Sequence, residues 1–178
     1  MRFGFTRWAD LAVALTNTAP GPRHGDLLAA PDDLVALLRA HGEPEPVEAG
    51  DGDLRDARAA RAAFDGIFAA GGDATALTGR INALLDRTAR PRLVAHDGVP
   101  PHLHVAAPGA SWGDWLAASG ATALALLVAE HGVDVLGRCA APDCGHAILR
   151  TGPGPARRFC SPTCASRTRV AAHRARRR

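Results

Sequence analysis

The sequence predicts an α+β fold that is mostly α, in which a helical N-terminal domain with a small β-hairpin precedes a compact module ending in a basic helix. Three observations support this prediction. Apolar residues recur at helical spacing in several segments before residue 131, two short alternating runs flank one turn, and all four cysteines lie in the last forty residues. We place the domain boundary between residues 1–135 and 136–178.

Four helices are predicted before the hairpin, from the spacing of apolar residues and from residues that favour helix ends. In the first, Trp8, Leu11 and Leu15 follow the i, i+3, i+7 spacing of a helix face. Asp73 is expected to cap the fourth helix. Residues 43–53 are acidic and aperiodic, which predicts a surface loop. The predicted helices cover residues 6–15, 31–41, 54–68 and 74–88.

A β-hairpin is predicted where residues 92–96 and 102–105 flank the turn residues 97–101. His96, His102 and His104 fall on this hairpin, and residues two apart in a strand share a face. No carboxylate or cysteine lies at a supporting spacing, so we interpret these histidines as a solvated face rather than a metal site.

A long helix is predicted over residues 112–130, and residues 133–136 are expected to run extended into the C-terminal module. The longest apolar run is shorter than the roughly 18 residues of a membrane span, so no membrane association is predicted. Trp112 and Trp115 lie three residues apart at the start of this helix. Such a pair is more often core, but with Asn17 it forms our candidate small-molecule pocket.

The cysteines have the spacing C-x4-C, fifteen intervening residues, then C-x3-C, which predicts two knuckles around a tetrahedral four-thiolate Zn(2+) site. Disulfides would need an oxidising compartment. The N-terminus resembles no signal peptide, so we expect a cytoplasmic protein in which the cysteines are not paired in disulfides. Redox pairs favour C-x-x-C. His146 is the alternative ligand. We favour instead a position beside the ligands without a bond to the metal, or simple exposure to solvent. The predicted ligands of this treble-clef-like finger are Cys139, Cys144, Cys160 and Cys164.

The charge distribution separates the two parts of the chain. From residue 138 onward the chain contains ten arginines and one acidic residue, a net charge of +9. The first 137 residues have a net charge of −6. Ser161 and Pro162 predict a helix start, and no helix breaker follows. The small residues Cys164, Thr168, Ala171 and Ala175 form one stripe, which we expect to pack against the metal knuckle or a partner. Such a basic segment indicates a polyanion partner.

The C-terminal module resembles the CGNR-type zinc finger of bacterial stress-responsive transcription regulators. The resemblance rests on the cysteine spacing, on the run of residues 157–161, Arg-Arg-Phe-Cys-Ser, and on the ending over residues 169–177. The family is named for a Cys-Gly-Asn-Arg tetrapeptide, and the matching residues 164–167 read Cys-Ala-Ser-Arg. The ligand and the arginine are therefore present, whereas the asparagine and any base contact it makes are not.

Two short runs in the first domain carry a second resemblance. Residues 15–18 read Leu-Thr-Asn-Thr at the end of a hydrophobic run, and residues 26–28 read Asp-Leu-Leu before Pro31. In these runs the first domain resembles the helical ABATE domain that commonly precedes this finger. The resemblance implies a transcription regulator, and DNA is the partner we expect for it. We expect the acidic first domain to form a homodimer, sense a small-molecule effector or bind a partner protein.

We therefore predict a zinc-dependent protein that binds nucleic acid, with double-stranded DNA as the leading partner. The alternatives are an RNA- or ribosome-associated zinc protein, and an interaction module whose arginine helix docks on an acidic surface. No catalytic motif is found and four thiolates fill a zinc shell, so no enzyme activity is expected. The candidate nucleic-acid contacts are Arg157, Arg158, Arg167, Arg169, Arg174, Arg176, Arg177 and Arg178, with Arg167 first for a base contact.

Overall fold

A computed structural model describes residues 5–95, 98, 100–152 and 156–177. The described chain is mostly helical, with 56% of residues in six helices and with small two-stranded sheets, which confirms the predicted fold class. The helices are α1 Phe5–Thr16, α2 Pro31–Ala40, α3 Asp51–Ala69, α4 Ala74–Thr88, α5 Trp112–His131 and α6 Pro162–Ala175. The strands are β1 Arg92–Val94, β2 His102–His104, β3 Leu136–Arg138 and β4 Ala147–Leu149.

Helix α5 is the centre of the fold because it is apolar on nearly every side and packs against α1, α3 and α4. Gly120 allows its closest approach: a β-carbon there would lie 2.3 Å from the ring of Phe64, which is fully buried. Among the described helices, α5 alone is long and apolar enough to cross a membrane. Half of its apolar stretch is buried in this core, as in the central helix of a compact domain.

Side-chain caps fix the helix starts that the sequence predicts. Asp73 accepts a hydrogen bond of 3.0 Å from the Ala76 amide, and Ser161 accepts one of 3.2 Å from the Cys164 amide. Helix α3 begins at Asp51, three residues before its predicted start. Asp51 and Asp53, for which the sequence predicts a loop, lie in its first turn. The Asp53 carboxylate accepts a hydrogen bond of 3.0 Å from the Gly50 amide, and its negative charge interacts favourably with the positive end of the helix dipole.

The described residues form two antiparallel hairpins, of which the sequence predicts one. Strands β1 and β2 pair with Leu93 opposite Leu103, as predicted. On β2, the Nε2 atoms of His102 and His104 lie 3.0 Å apart, while His96 falls outside the described residues. Strands β3 and β4 form a second hairpin that was not predicted. Residues 133–135 form a turn of 3-10 helix, so the extended conformation predicted there is wrong for all but residue 136.

The β3–β4 hairpin lies against the helical domain rather than apart from it. Leu136, Ala147 and Leu149 belong to the same buried cluster as the core of α1, α3 and α5. Residues on both sides of the predicted domain boundary at residue 135 therefore share one buried cluster, and the boundary itself stays a prediction. Burial in that core provides stabilisation that a forty-residue module could not obtain from its own few apolar side chains.

Candidate metal centre and basic helix

The four cysteine sulfurs form one compact group, with all four Sγ atoms within 4.8 Å of one another. The Sγ atom of Cys160 lies 3.5 Å from that of Cys144 and 3.4 Å from that of Cys164, and Cys144 and Cys164 are 3.8 Å apart. Tetrahedral zinc with Zn–S bonds of about 2.3 Å requires sulfurs about 3.8 Å apart. The four free thiols are thus positioned to bind a metal ion, and zinc is the metal that prefers this donor set.

Two turns and a helix start place these sulfurs. Cys139 directly follows β3, and its amide donates to the His146 carbonyl at 2.8 Å. Gly145 has φ 71, a conformation that lets the chain turn back into β4 after Cys144. Cys160 precedes the Ser161 cap, and the first turn of α6 returns Cys164 to the same point. Cys164 is fully buried, so the metal centre holds the start of α6.

The electrostatics of the cluster favour a bound cation. Burial raises the pKa of Cys160 to about 12 and also raises the pKa of Cys144. Hydrogen bonds from the Ser161 side chain and then from Arg23 lower the pKa of Cys164 to about 6. Adjacent thiols of this kind cannot all ionise by themselves, because each thiolate disfavours the next. A divalent cation removes that conflict and is the group that the four residues fit.

Besides the approach of His24 to His146, three contacts from the helical domain reach the metal centre, and sequence reasoning missed all of them. Arg23 Nη2 donates to Cys164 Sγ at 3.2 Å. The Asn17 amide donates to the Ala147 carbonyl at 3.1 Å and accepts from the Ala147 amide at 2.8 Å. Arg138 Nη2 lies 2.7 Å from a carboxylate oxygen of Asp65.

His146 contributes to the surroundings of the site rather than to the ligand group. Its ring nitrogen Nε2 lies 3.3 Å from Nε2 of His24, and its carbonyl accepts the Cys139 amide. Burial, followed by the charges of Arg23 and His24, lowers the pKa of His146. This placement agrees with the outer role favoured from the sequence.

Helix α6 leaves the body of the protein after its second turn. Cys164 is buried and Thr168 is half-buried, but every described residue from 169 to 177 is exposed. Beyond Thr168 the small-residue stripe does not pack against the metal knuckle, since Ala171 and Ala175 are exposed, and its packing against a partner stays a prediction. Val170, at 49% exposure, is likewise uncovered.

Some of the candidate arginines make contacts within the finger, and the others are exposed on α6 and just beyond it. Arg167 forms an ion pair of 2.6 Å with Asp143, and Arg157 donates to the Phe159 carbonyl at 2.9 Å and to the Cys160 carbonyl. These two side chains brace the knuckles. Arg158 lies over the Phe159 ring at 5.7 Å, and Arg169 donates to Ser166 Oγ at 3.3 Å. Arg174, Arg176 and Arg177 are exposed on α6 and just beyond it, and Arg178 lies outside the described residues.

The candidate pocket residues do not line one common cavity. Trp112 and Trp115 lie with ring centroids 5.6 Å apart beside a cavity of about 570 Å³. Asn17 instead lines cavities of about 190 Å³ and 370 Å³ next to the metal centre. Trp115 also packs edge-on against Trp8 of α1, which is the core role that such pairs usually have. Ligand binding at these cavities stays a prediction.

Comparison with known proteins gives two matches. The sequence model of the ABATE family, described as "Putative stress-induced transcription regulator", matches residues 9–139. That of the CGNR zinc finger matches residues 136–177. No curated protein matches the chain significantly.

Proposed function

The chain belongs to the ABATE family of putative stress-induced transcription regulators and carries a CGNR zinc finger, and we propose that it regulates transcription by binding double-stranded DNA through α6. One observation carries this proposal. The C-terminal half of α6 projects from the protein, exposed on every side, and it carries arginines along its length. The metal centre at its start would fix its direction.

The dimensions of this projection suit the major groove. Nine exposed residues, 169–177, span about 14 Å when helical. The major groove of B-DNA is about 12 Å wide and 8.5 Å deep and admits one helix. At 100° per residue, Arg174 lies on one flank of the small-residue stripe and Arg169 and Arg176 on the other. Arginines on both flanks can reach phosphates on both walls of the groove.

Arg167 can join this interface only by leaving Asp143. Solvent reaches both side chains, which are 40% and 58% exposed, and ion pairs at the surface contribute about 0–1 kcal/mol. A phosphate can therefore replace Asp143 at small cost. We propose that Arg167 contacts the phosphate backbone of the DNA. Arg157 donates to the carbonyls of Phe159 and Cys160 and holds the second knuckle in shape.

The alternatives receive less support from the same residues. Recognition of single-stranded RNA usually needs exposed aromatic rings, and the described part of the finger offers only Phe159, which packs against the cysteine cluster. Docking of α6 on the acidic first domain would cover the arginines that stand exposed. We further propose a cytoplasmic, non-enzymatic protein whose first domain binds an effector or a second copy.

Binding of a labelled duplex and of its separate single strands, titrated with salt, tests this proposal. We expect the duplex to bind more tightly and affinity to fall steeply with salt, because arginines displace counterions from phosphates. Arg174→Ala should reduce the salt slope by about one unit. Arg87→Ala, an exposed arginine on α4, is the matched control and should leave the slope unchanged. Equal binding of strands and duplex, or equal slopes for both variants, would contradict the proposal.

A further inference from the structure

We infer that Arg23, in the loop between α1 and α2, is a positioning residue of the metal centre, retaining the metal through Cys164 and making its occupancy felt in the helical domain. Cys164 lies 141 residues further along the chain, and the Arg23 Nη2 atom approaches its sulfur to 3.2 Å. The inference does not depend on DNA binding.

The loop that carries Arg23 is held in place by α3. Arg61 of α3 binds both carboxylate oxygens of Asp26, at 2.5 Å and 2.9 Å, and also donates to the Thr18 hydroxyl at 3.2 Å. Arg58 of α3 donates to the Leu28 carbonyl at 3.0 Å. Because both halves of the loop are attached to α3, Arg23 is presented to the sulfur without a large entropic cost.

Charge explains why a guanidinium belongs at this position. Four thiolates around one divalent cation leave a net charge of −2, which a neighbouring cation stabilises. Among the described residues, Arg23 is the one positively charged side chain that donates a hydrogen bond to a cysteine sulfur. A hydrogen bond from a charged donor is stronger than one between neutral groups, so Arg23 holds the Cys164 sulfur in the position that the metal requires.

The other two contacts complete the connection. Asn17 holds Ala147 in β4, Arg138 at the end of β3 pairs with Asp65 of α3, and Arg23 holds Cys164 in α6. Each of the three segments that form the metal centre is thus attached separately to the helical domain. Linkage is reciprocal, so metal binding must stabilise the helical domain if the domain stabilises the metal centre.

Transfer of zinc from the loaded full-length protein to excess chromogenic chelator tests the inference. Outer residues of metal sites typically change affinity by about 10–100-fold, so Arg23→Ala should release zinc about 10-fold faster than wild type. Arg23→Gln keeps a hydrogen-bond donor without the charge, so its rate of zinc release should lie between those of wild type and Arg23→Ala. Arg87→Ala removes the same charge from an exposed site on α4 and should release zinc at the wild-type rate. Equal rates for Arg23→Ala and Arg87→Ala would overturn the assigned role.

Tryptophan fluorescence provides a second readout, because Trp8, Trp112 and Trp115 all lie before the metal centre. Chelation of zinc from the wild-type protein should lower the melting temperature that these tryptophans report. The same treatment of Arg23→Ala should lower it less. An unchanged wild-type melting temperature after complete removal of zinc would overturn the coupling, even where nucleic-acid binding is lost.

Discussion

Asn17→Ala is expected to separate the finger hairpin from the helical domain. The Asn17 amide satisfies both backbone groups of Ala147, at 3.1 Å and 2.8 Å, and Ala147 is buried to 1% exposure. Removing the amide breaks two hydrogen bonds and leaves a buried donor and a buried acceptor without partners. Each such group costs about 1–3 kcal/mol, so the free energy of unfolding should fall by about 2–6 kcal/mol.

Denaturant unfolding followed by tryptophan fluorescence measures this loss directly. Asn82→Ala is the matched control, since Asn82 is exposed on α4 and its removal should change stability by less than about 0.5 kcal/mol. Asn17→Asp keeps the acceptor but places a carboxylate oxygen against the Ala147 carbonyl, so it should not restore wild-type stability. Equal unfolding midpoints for Asn17→Ala and Asn82→Ala would show that Asn17 does not hold the hairpin to the helical domain.

Two further predictions concern the core and the cysteines. Gly120→Ala should destabilise the protein by about 1–3 kcal/mol in thermal unfolding, because the new methyl group meets the Phe64 ring at 2.3 Å; Gly79→Ala, with nothing within 4 Å, should stabilise α4 by up to about 1 kcal/mol, and the opposite ranking would contradict the packing. Zinc binding at pH 7 should release protons chiefly from thiols such as Cys160, whose pKa is raised to about 12, and little from Cys164, whose pKa is lowered to about 6. Affinity should therefore rise with pH, measured by competition with a chelator, and a pH-independent affinity would contradict this assignment.

Local patterns were sufficient to predict most helices of this protein. The Asp73 and Ser161 caps and the apolar spacing act within a few residues, so they can be read without knowing the fold. The start of α3 was placed too late because its first turn is acidic, and acidic residues are typical of both surface loops and helix N-termini. The metal centre could be predicted in the same way, because its cysteines form two pairs whose members are only four or five residues apart.

The surroundings of the metal centre could not be predicted from local patterns. Arg23 and Cys164 are 141 residues apart, and Asp65 and Arg138 are 73 apart, so neither contact has a periodic or spacing signature. The β3–β4 hairpin was missed because its three-residue strands contain Gly137 and Arg138 and show no clean alternation. The position of α6 relative to the core, which leaves Ala171 exposed, likewise depends on tertiary packing.

We propose that a metal held by four cysteines turns the arginine-rich C-terminus into a rigid probe for duplex DNA. Duplex binding by one preparation, measured with zinc bound, after chelation and after zinc is restored, tests it most directly. We expect affinity to fall at least tenfold on chelation and to return with zinc at one ion per chain. Full duplex affinity in the metal-free protein would contradict the claim.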